Sequence, residues 1–216
     1  MAYWGMDTNL NDPSLVWPCG KNFYIGRIGW GTTADLSYFS STLSGDVGAA
    51  NTYAYWQLQG PGTTPSGQTP FEYGQAQGNA CLNQWTAMYN AGEVKRLTVF
   101  ADVEPNGAVG WYYNPSSSQQ TANQDVLNGF LSVFPTHDRG LYCASGTWTN
   151  YFGSVTAANY YIQVAWSYDN ASATFSSCPT TFSVPQIGGL TPTIWQFVAA
   201  TDQYHNDFDM ATSLPQ

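Results

Sequence analysis

Short apolar and aromatic runs recur along the chain, each closed by Gly, Pro, Asn or Ser. Seven stand out: Tyr3–Asp7, Phe23–Trp30, Thr52–Leu58, Leu97–Glu104, Gly140–Ala144, Tyr160–Trp166 and Thr193–Val198. Their β-branched and aromatic content predicts strands. Between them the period changes. Cys81, Trp85, Met88 and Tyr89 recur at helical spacing, and Gly92 supplies a C-terminal stop. Ala122, Val126, Leu127, Phe130, Leu131 and Phe134 do the same, with serines 116–118 as N-caps and Pro135 as the end. A weaker third helix is expected over Leu36–Leu43. Strands alternating with helices imply parallel pairing through βαβ units, hence a sheet or barrel covered by helices. Residues 167–192 are rich in Ser, Thr, Pro and Gly and carry no helical period. An α/β barrel, if the sheet closes into one, is therefore expected to be irregular in its second half. The rival is a secreted jelly roll, and the two amphipathic helices argue against it.

Composition narrows the class. The 216 residues are 43% hydrophobic and 16% aromatic, enough for one large core, and no linker divides residues 1–216 into two domains. Charged residues make up only 9%, against roughly 25% in an average soluble domain. Five cations (Lys21, Arg27, Lys95, Arg96, Arg139) face fourteen acids, for a net charge of −9. Such a surface repels phosphate backbones and anionic lipid, so neither nucleic acid nor a membrane is an expected partner. No run of about 18 apolar residues is present either. Few ionisable groups leave little charge to gain on acidification, which suits a protein working in acid. Cys19, Cys81, Cys143 and Cys178 are widely spaced, without CxxC or Cys/His metal spacing. An even count in a Lys-poor chain reads as two disulfides in a secreted protein, with three pairings open. No cationic segment leading into an apolar one opens the chain, so a signal peptide is expected to be already absent.

The candidate chemistry lies at the end of the fourth run. In an extended strand Asp102 and Glu104 point the same way, with Cα atoms roughly 6.6 Å apart. Pro105 cannot donate to a neighbouring strand, so pairing should stop there. Like charges this close push one pKa up and leave the other ionised, as acid-catalysed cleavage of a glycosidic bond requires. The spacing stands at the lower edge of the inverting range of about 6.5–9.5 Å and does not decide the stereochemistry. Solvated acids at a strand end are the plain alternative. His137 and His205 are far apart, and no catalytic-triad order, HExxH, P-loop or dinucleotide fingerprint appears. The acid-rich stretch from Asp202 to Asp209 lacks calcium-loop spacing. No metal and no cofactor are expected.

Taken in order, these runs resemble glycoside hydrolase family 25, the Chalaropsis-type lysozymes or N-acetylmuramidases. The matching residues are Gly5-Met6-Asp7, then Phe23-Tyr24-Ile25-Gly26-Arg27, then Asp102-Val103-Glu104. Gly140-Leu141-Tyr142-Cys143-Ala144-Ser145 with Trp148, Ala165-Trp166 with Tyr168, and Ile194-Trp195-Gln196-Phe197 follow. Near the end, Asp207-Phe208-Asp209 stands where the family has Asp, an apolar residue and Asn. The departures are Asp209 itself, the segment Thr8-Asn9-Leu10-Asn11 and the long loop Gly60–Gly67.

The resemblance implies an irregular (β/α) TIM-like barrel with its site at the C-terminal strand ends. It also implies hydrolysis of the β-1,4 bond between N-acetylmuramic acid and N-acetylglucosamine in peptidoglycan by a secreted monomer. On this reading Glu104 is the general acid and Asp102 steadies the transition state. Asp7 and Asp207 complete the acidic cluster, with Asp7 raising the pKa of Glu104. Asp209 is structural, and Arg27 pairs with one of the acids. Trp30, Tyr142, Trp166 and Trp195 offer aromatic faces to sugar rings, although each aromatic taken singly is more readily explained as core. Two alternatives stay open: a glycosidase of the same skeleton cutting another cell-wall or fungal glycan, and a catalytically silent glycan-binding module.

Overall fold

The computed structural model describes residues 2–8, 17–96, 98–105, 109–199 and 207–215. Nine strands are present among them: β1 Tyr3–Thr8, β2 Phe23–Trp30, β3 Thr33–Ala34, β4 Thr52–Gln57, β5 Val99–Asp102, β6 Arg139–Tyr142, β7 Val164–Ser167, β8 Ile194–Val198 and β9 Asp207–Ala211. Strands β1, β2, β4, β5, β6, β7 and β8 pair in parallel in that order. β9 then runs antiparallel to both β8 and β1 and closes the barrel. β3 is a short hairpin partner at the end of β2. The parallel, helix-covered sheet rules out a jelly roll.

Strand alternation divides the apolar residues into two layers. Phe23, Ile25, Tyr53, Tyr55, Phe100, Tyr142, Trp166 and Ile194 form one buried cluster and fill the barrel. Tyr24, Ala54, Trp56, Ala101, Leu141 and Ala165, their sequence neighbours, point outward under the helices, as does Ile28 further along β2. The helices are α1 Ser41–Val47, α2 Pro70–Asn90, α3 Ser117–Ser132 and α4 Ser145–Phe152. α2 starts eleven residues before Cys81, because Thr69 and Glu72 form a capping box and Pro70 takes the first turn. α3 begins where the serines placed it, with Ser116 as N-cap in a capping box with Gln119. α1 lies later than the expected Leu36–Leu43 helix, since Ser40 supplies its cap. α4 was not expected; its first turn is held from outside by Asp169, which accepts hydrogen bonds from the Ser145 backbone N–H and hydroxyl.

The run Tyr160–Trp166 becomes a strand only at Val164, because Ala157–Tyr160 is a 3-10 turn and Tyr161 turns left-handed. Leu97 lies outside the described residues. The expectation of two disulfides is corrected to one. Cys19 and Cys178 are bonded across 159 residues, while Cys81 and Cys143 are free thiols with no exposed surface. Both free thiols sit in the layer between barrel and helices as small apolar side chains. The bridge ties the chain before β2 to the helix-free stretch between β7 and β8.

Gly140 faces the barrel interior beside Phe100, its partner in register. A Cβ there would stand 2.7 Å from the Phe100 ring, which is itself fully buried. Gly140→Ala is therefore expected to cost about 1–3 kcal/mol by overpacking. Urea denaturation should show a lower midpoint at an unchanged slope; an unchanged midpoint would mean the barrel interior is not packed as described.

Candidate active site

The acids meet at the C-terminal mouth of the parallel strands. Register places them there: Gln57 on β4 aligns with Asp102 on β5, Asp102 with Tyr142 on β6, and Tyr142 with Trp166 on β7. Four inward-facing side chains from consecutive strands thus form one row. On the other wall Asp7 of β1 lies opposite Asp207 of β9. Asp7, Tyr55, Asp102, Glu104, Tyr142, Trp166 and Asp207 line a cavity of about 90 Å³. A larger hollow of about 540 Å³ lies beside α1 and the end of α2, lined by Leu36, Phe39 and glycines with only one acid, Glu93. The smaller cavity gathers the acids: Asp7, Asp102, Glu104 and Asp207 all line it.

Asp102 ends β5 and is 1% exposed, with Oδ1 buried and without a hydrogen-bond partner. Glu104 follows two residues later, outside the ladder and half-buried, hydrogen-bonded to the Gln57 side chain. Burial is the largest cause raising the Glu104 carboxyl, and Gln57 and the charge of Arg27 pull against it. Burial also drives Asp102 well above the usual carboxylate range, with the Glu104 charge adding to it and Arg27 opposing. Both groups therefore rise. Burial of Asp102 thus opposes the ionised state expected of it, and the neighbouring Glu104 charge adds to that opposition in the free site. The Asp7 and Glu104 charges act against each other. Asp7 is driven well above the usual range by burial first and then by the charges of Asp209 and Asp207. Burial, more than neighbouring acids, is what raises Glu104.

Aromatic rings form the remaining wall. The Tyr142 and Trp166 rings lie 4.1 Å apart, and Phe100 meets Trp166 edge-on at 5.5 Å. Tyr142 donates its hydroxyl proton to Gln196 Oε1 of β8, and Trp166 donates its indole N–H to Asp209 Oδ1 at 2.9 Å. Both rings are thus held by hydrogen bonds to neighbouring strands and line the cavity.

Three expected site residues lie elsewhere. Trp195 alternates to the outer face of β8, where it packs against Phe182 and Phe197 and donates to the Asp169 carbonyl. Trp30 is 43% exposed at the end of β2 and does not line the cavity. Arg27 makes no direct ion pair; among the described residues those are Lys21–Asp46 and His137–Asp138. Its guanidinium stacks 3.6 Å over the Tyr38 ring and acts on Asp102 and Glu104 through space. His205 and Asp202 lie outside the described residues.

Asp209, read from sequence as structural, is fully buried beside the site, accepts the Trp166 indole N–H and bears electrostatically on Asp7. Its signal was present: it stands two residues after Asp207, so on a strand it shares that residue's face. Tyr55, Gln57 and Gln196 join the site in the same way, as inward positions of strands already recognised.

No family model and no curated protein sequence matches this chain. Solved structures do. A muramidase from Trichobolus zukalii is similar with a TM-score of 0.65 and 18% identity, over 97% of this chain and 93% of that one. A family GH25 lysozyme from Aspergillus fumigatus gives 0.61 and 18%, over 99% and 95%. A lysozyme from Streptomyces coelicolor gives 0.62 and 16%, over 98% and 92%. The chain thus has the irregular TIM-like barrel fold of GH25 lysozymes and muramidases.

The buried acids set the pH dependence of stability. Asp7, Asp102 and Asp209 are all raised by burial, so the folded state holds protons that the unfolded chain has released. Their contribution is complete below an unfolded value of about 3.9 and is lost as pH rises through the folded values. The acids held low by hydrogen bonds, Asp35, Asp46 and Glu72, titrate below that window and do not oppose the trend. Thermal melts are expected to fall between pH 4 and pH 8, by about 2–4 °C per kcal/mol for a chain of this size. A melting temperature that rises over this range would contradict the burial of these carboxyls.

Proposed function

We propose that this protein is a secreted muramidase acting as a monomer through a single catalytic domain. It hydrolyses the β-1,4 bond between N-acetylmuramic acid and N-acetylglucosamine in peptidoglycan. The observation that carries this reading is the meeting of Asp7, Asp102, Glu104 and Asp207 from separate strands in one aromatic cavity, at the barrel end where such folds place their chemistry. The fold of lysozymes and muramidases supports the choice of glycan. One of the similar structures, an autolysin from Streptococcus pneumoniae, is described in complex with a synthetic peptidoglycan ligand. The Cys19–Cys178 bond suits an oxidising compartment. No helix among the described residues is long and apolar enough to cross a membrane.

Glu104 stands at the mouth and Asp102 beneath it, which divides their roles. A sugar covering the mouth removes water from Glu104, raises its carboxyl further and draws the pair's proton onto it. Glu104 then gives that proton to the leaving glycosidic oxygen as the bond to the anomeric carbon breaks. Asp102, left ionised, meets the positive charge developing at that carbon, either directly or by steadying the ring formed when the 2-acetamido oxygen attacks. Water completes the hydrolysis and returns a proton to Glu104. Tyr142 and Trp166 give the bound sugar an aromatic wall.

Release of new reducing ends from purified peptidoglycan tests the proposal. Wild type should release them. Glu104→Gln should lose at least about 100-fold in rate, the usual contribution of a general acid, while keeping its melting profile. A wild type that binds the wall without cutting it, or a Glu104→Gln variant of undiminished rate, would overturn the reading.

A further inference from the structure

Arg27 stands on β2, on the strand face that carries Phe23 and Ile25 into the barrel. Its register partner is Tyr55 of β4, which lines the acid-bearing cavity. Its charge acts on Asp102, Glu104 and Tyr55 on one side and on Asp35 on the other. Asp35 caps the 3-10 turn Leu36–Tyr38, so the guanidinium lies between that turn and the cavity. Tyr38 covers it, with 3.6 Å from the guanidinium carbon to the ring centroid. A stacked ring occupies the flat face of a guanidinium and leaves its five in-plane N–H groups free to donate. Among the described residues Arg27 makes no ion pair and no hydrogen bond, and its Nε is buried without a partner. The other two arginines are engaged. Arg96 donates to the Ala50 carbonyl, and Arg139 donates to the carbonyls of Phe134 and Tyr160. Asp35 is likewise occupied, by the Ser37 backbone N–H and hydroxyl.

A half-buried cation with idle donors calls for a partner, since an unpaired charge out of water is costly. The plain alternative is that Arg27 only offsets the charges of Asp102 and Glu104. Direct contact would do that best, and no such pair forms among the described residues. We propose that Arg27 is a specificity residue that receives a carboxylate of the bound glycan. Tyr38 holds the guanidinium flat, and its in-plane N–H fork matches the two oxygens of a planar anion. The chain carries a net charge of −9 and otherwise repels an anionic ligand. Arg27 supplies attraction at the one place where the ligand's charge must come close to the acids. The source of the carboxylate rests on the muramidase reading, which offers two: the lactyl group of N-acetylmuramic acid, or the peptide amide-linked to it. A glycan of N-acetylglucosamine alone has neither and leaves the fork unanswered.

Calorimetric titration of the protein with three ligands tests this. The first is the disaccharide of N-acetylglucosamine and N-acetylmuramic acid, and the second is its neutral methyl ester. The third carries L-alanine, amide-linked to the lactyl group and ending in a free carboxylate. At about pH 6 both free carboxylates are ionised. At least one acid should bind at least about tenfold tighter than the ester, the scale of one charge-assisted contact. The tighter acid identifies the source. Net charge alone predicts the opposite order. Arg27→Gln should abolish the preference, and Arg27→Lys should keep part of it, as a point charge without the fork. A wild type that binds neither acid tighter than the ester would overturn the proposal, with no variant needed to fold. So would a preference that survives in Arg27→Gln, or an equal loss of acid and ester there, which is the result expected if Arg27 acts only through Asp102 and Glu104. Binding is read without cleavage. A protein that prefers the acid but leaves peptidoglycan uncut would overturn the muramidase reading alone, and one that cuts the wall without the preference would overturn this inference alone.

Discussion

The structure depends on carboxyl groups being buried together in a barrel that has almost no cations to answer them. Five Lys and Arg residues stand against fourteen acids, and of the five only Arg27 lies on an inward-facing position of a barrel strand. Taking an unpaired carboxylate out of water is costly, and the usual release is to keep the proton. The mouth of this barrel therefore holds protons where an ordinary protein would hold ion pairs. That one constraint links the low charge content, the raised acids and the proposed chemistry.

Barrel closure is what brings the acids together. Seven parallel strands alone would leave β1 and β8 as open edges. The antiparallel β9 joins them and, because it runs the opposite way, delivers its first residues to the same end where the parallel strands finish. Asp207 and Asp209 thus arrive beside Asp7, while β5 carries Asp102 into line with Tyr142 and Trp166. The aromatic packing below, from Phe23, Tyr53 and Phe100, seals the interior from the far side. The same fill that stabilises the barrel keeps water from the acids, so stability and acidity are set by one layer of residues.

Much of this was legible in the chain. Parallel strands separated by helices, the pair at Asp102 and Glu104, and the inward Tyr142 and Trp166 all follow from period and spacing. What escaped has identifiable causes. Asp207–Ala211 is one short acidic-apolar run after an acid-rich stretch, and its pairing partners lie at the opposite end of the chain, so no local signal marks it as a strand. Trp195 and Gln196 are neighbours on β8, and single-sequence reading chose the aromatic one, although alternation turns Trp195 outward and Gln196 in. α4 has no capping side chain of its own, because its cap comes from Asp169 across the fold. The second disulfide failed for a similar reason: burial of Cys81 and Cys143 is a tertiary fact that an even cysteine count does not carry.

Proton binding on folding tests this account most directly. The number of protons bound by the folded and denatured chains can be compared by potentiometric titration at the same pH, between about pH 5 and pH 7. The account predicts a net uptake of protons when the chain folds, as the carboxyls of Asp7, Asp102 and Asp209 leave water. A net release across that range would show that these acids fold as anions, and the burial of carboxyls on which the proposed chemistry rests would be absent.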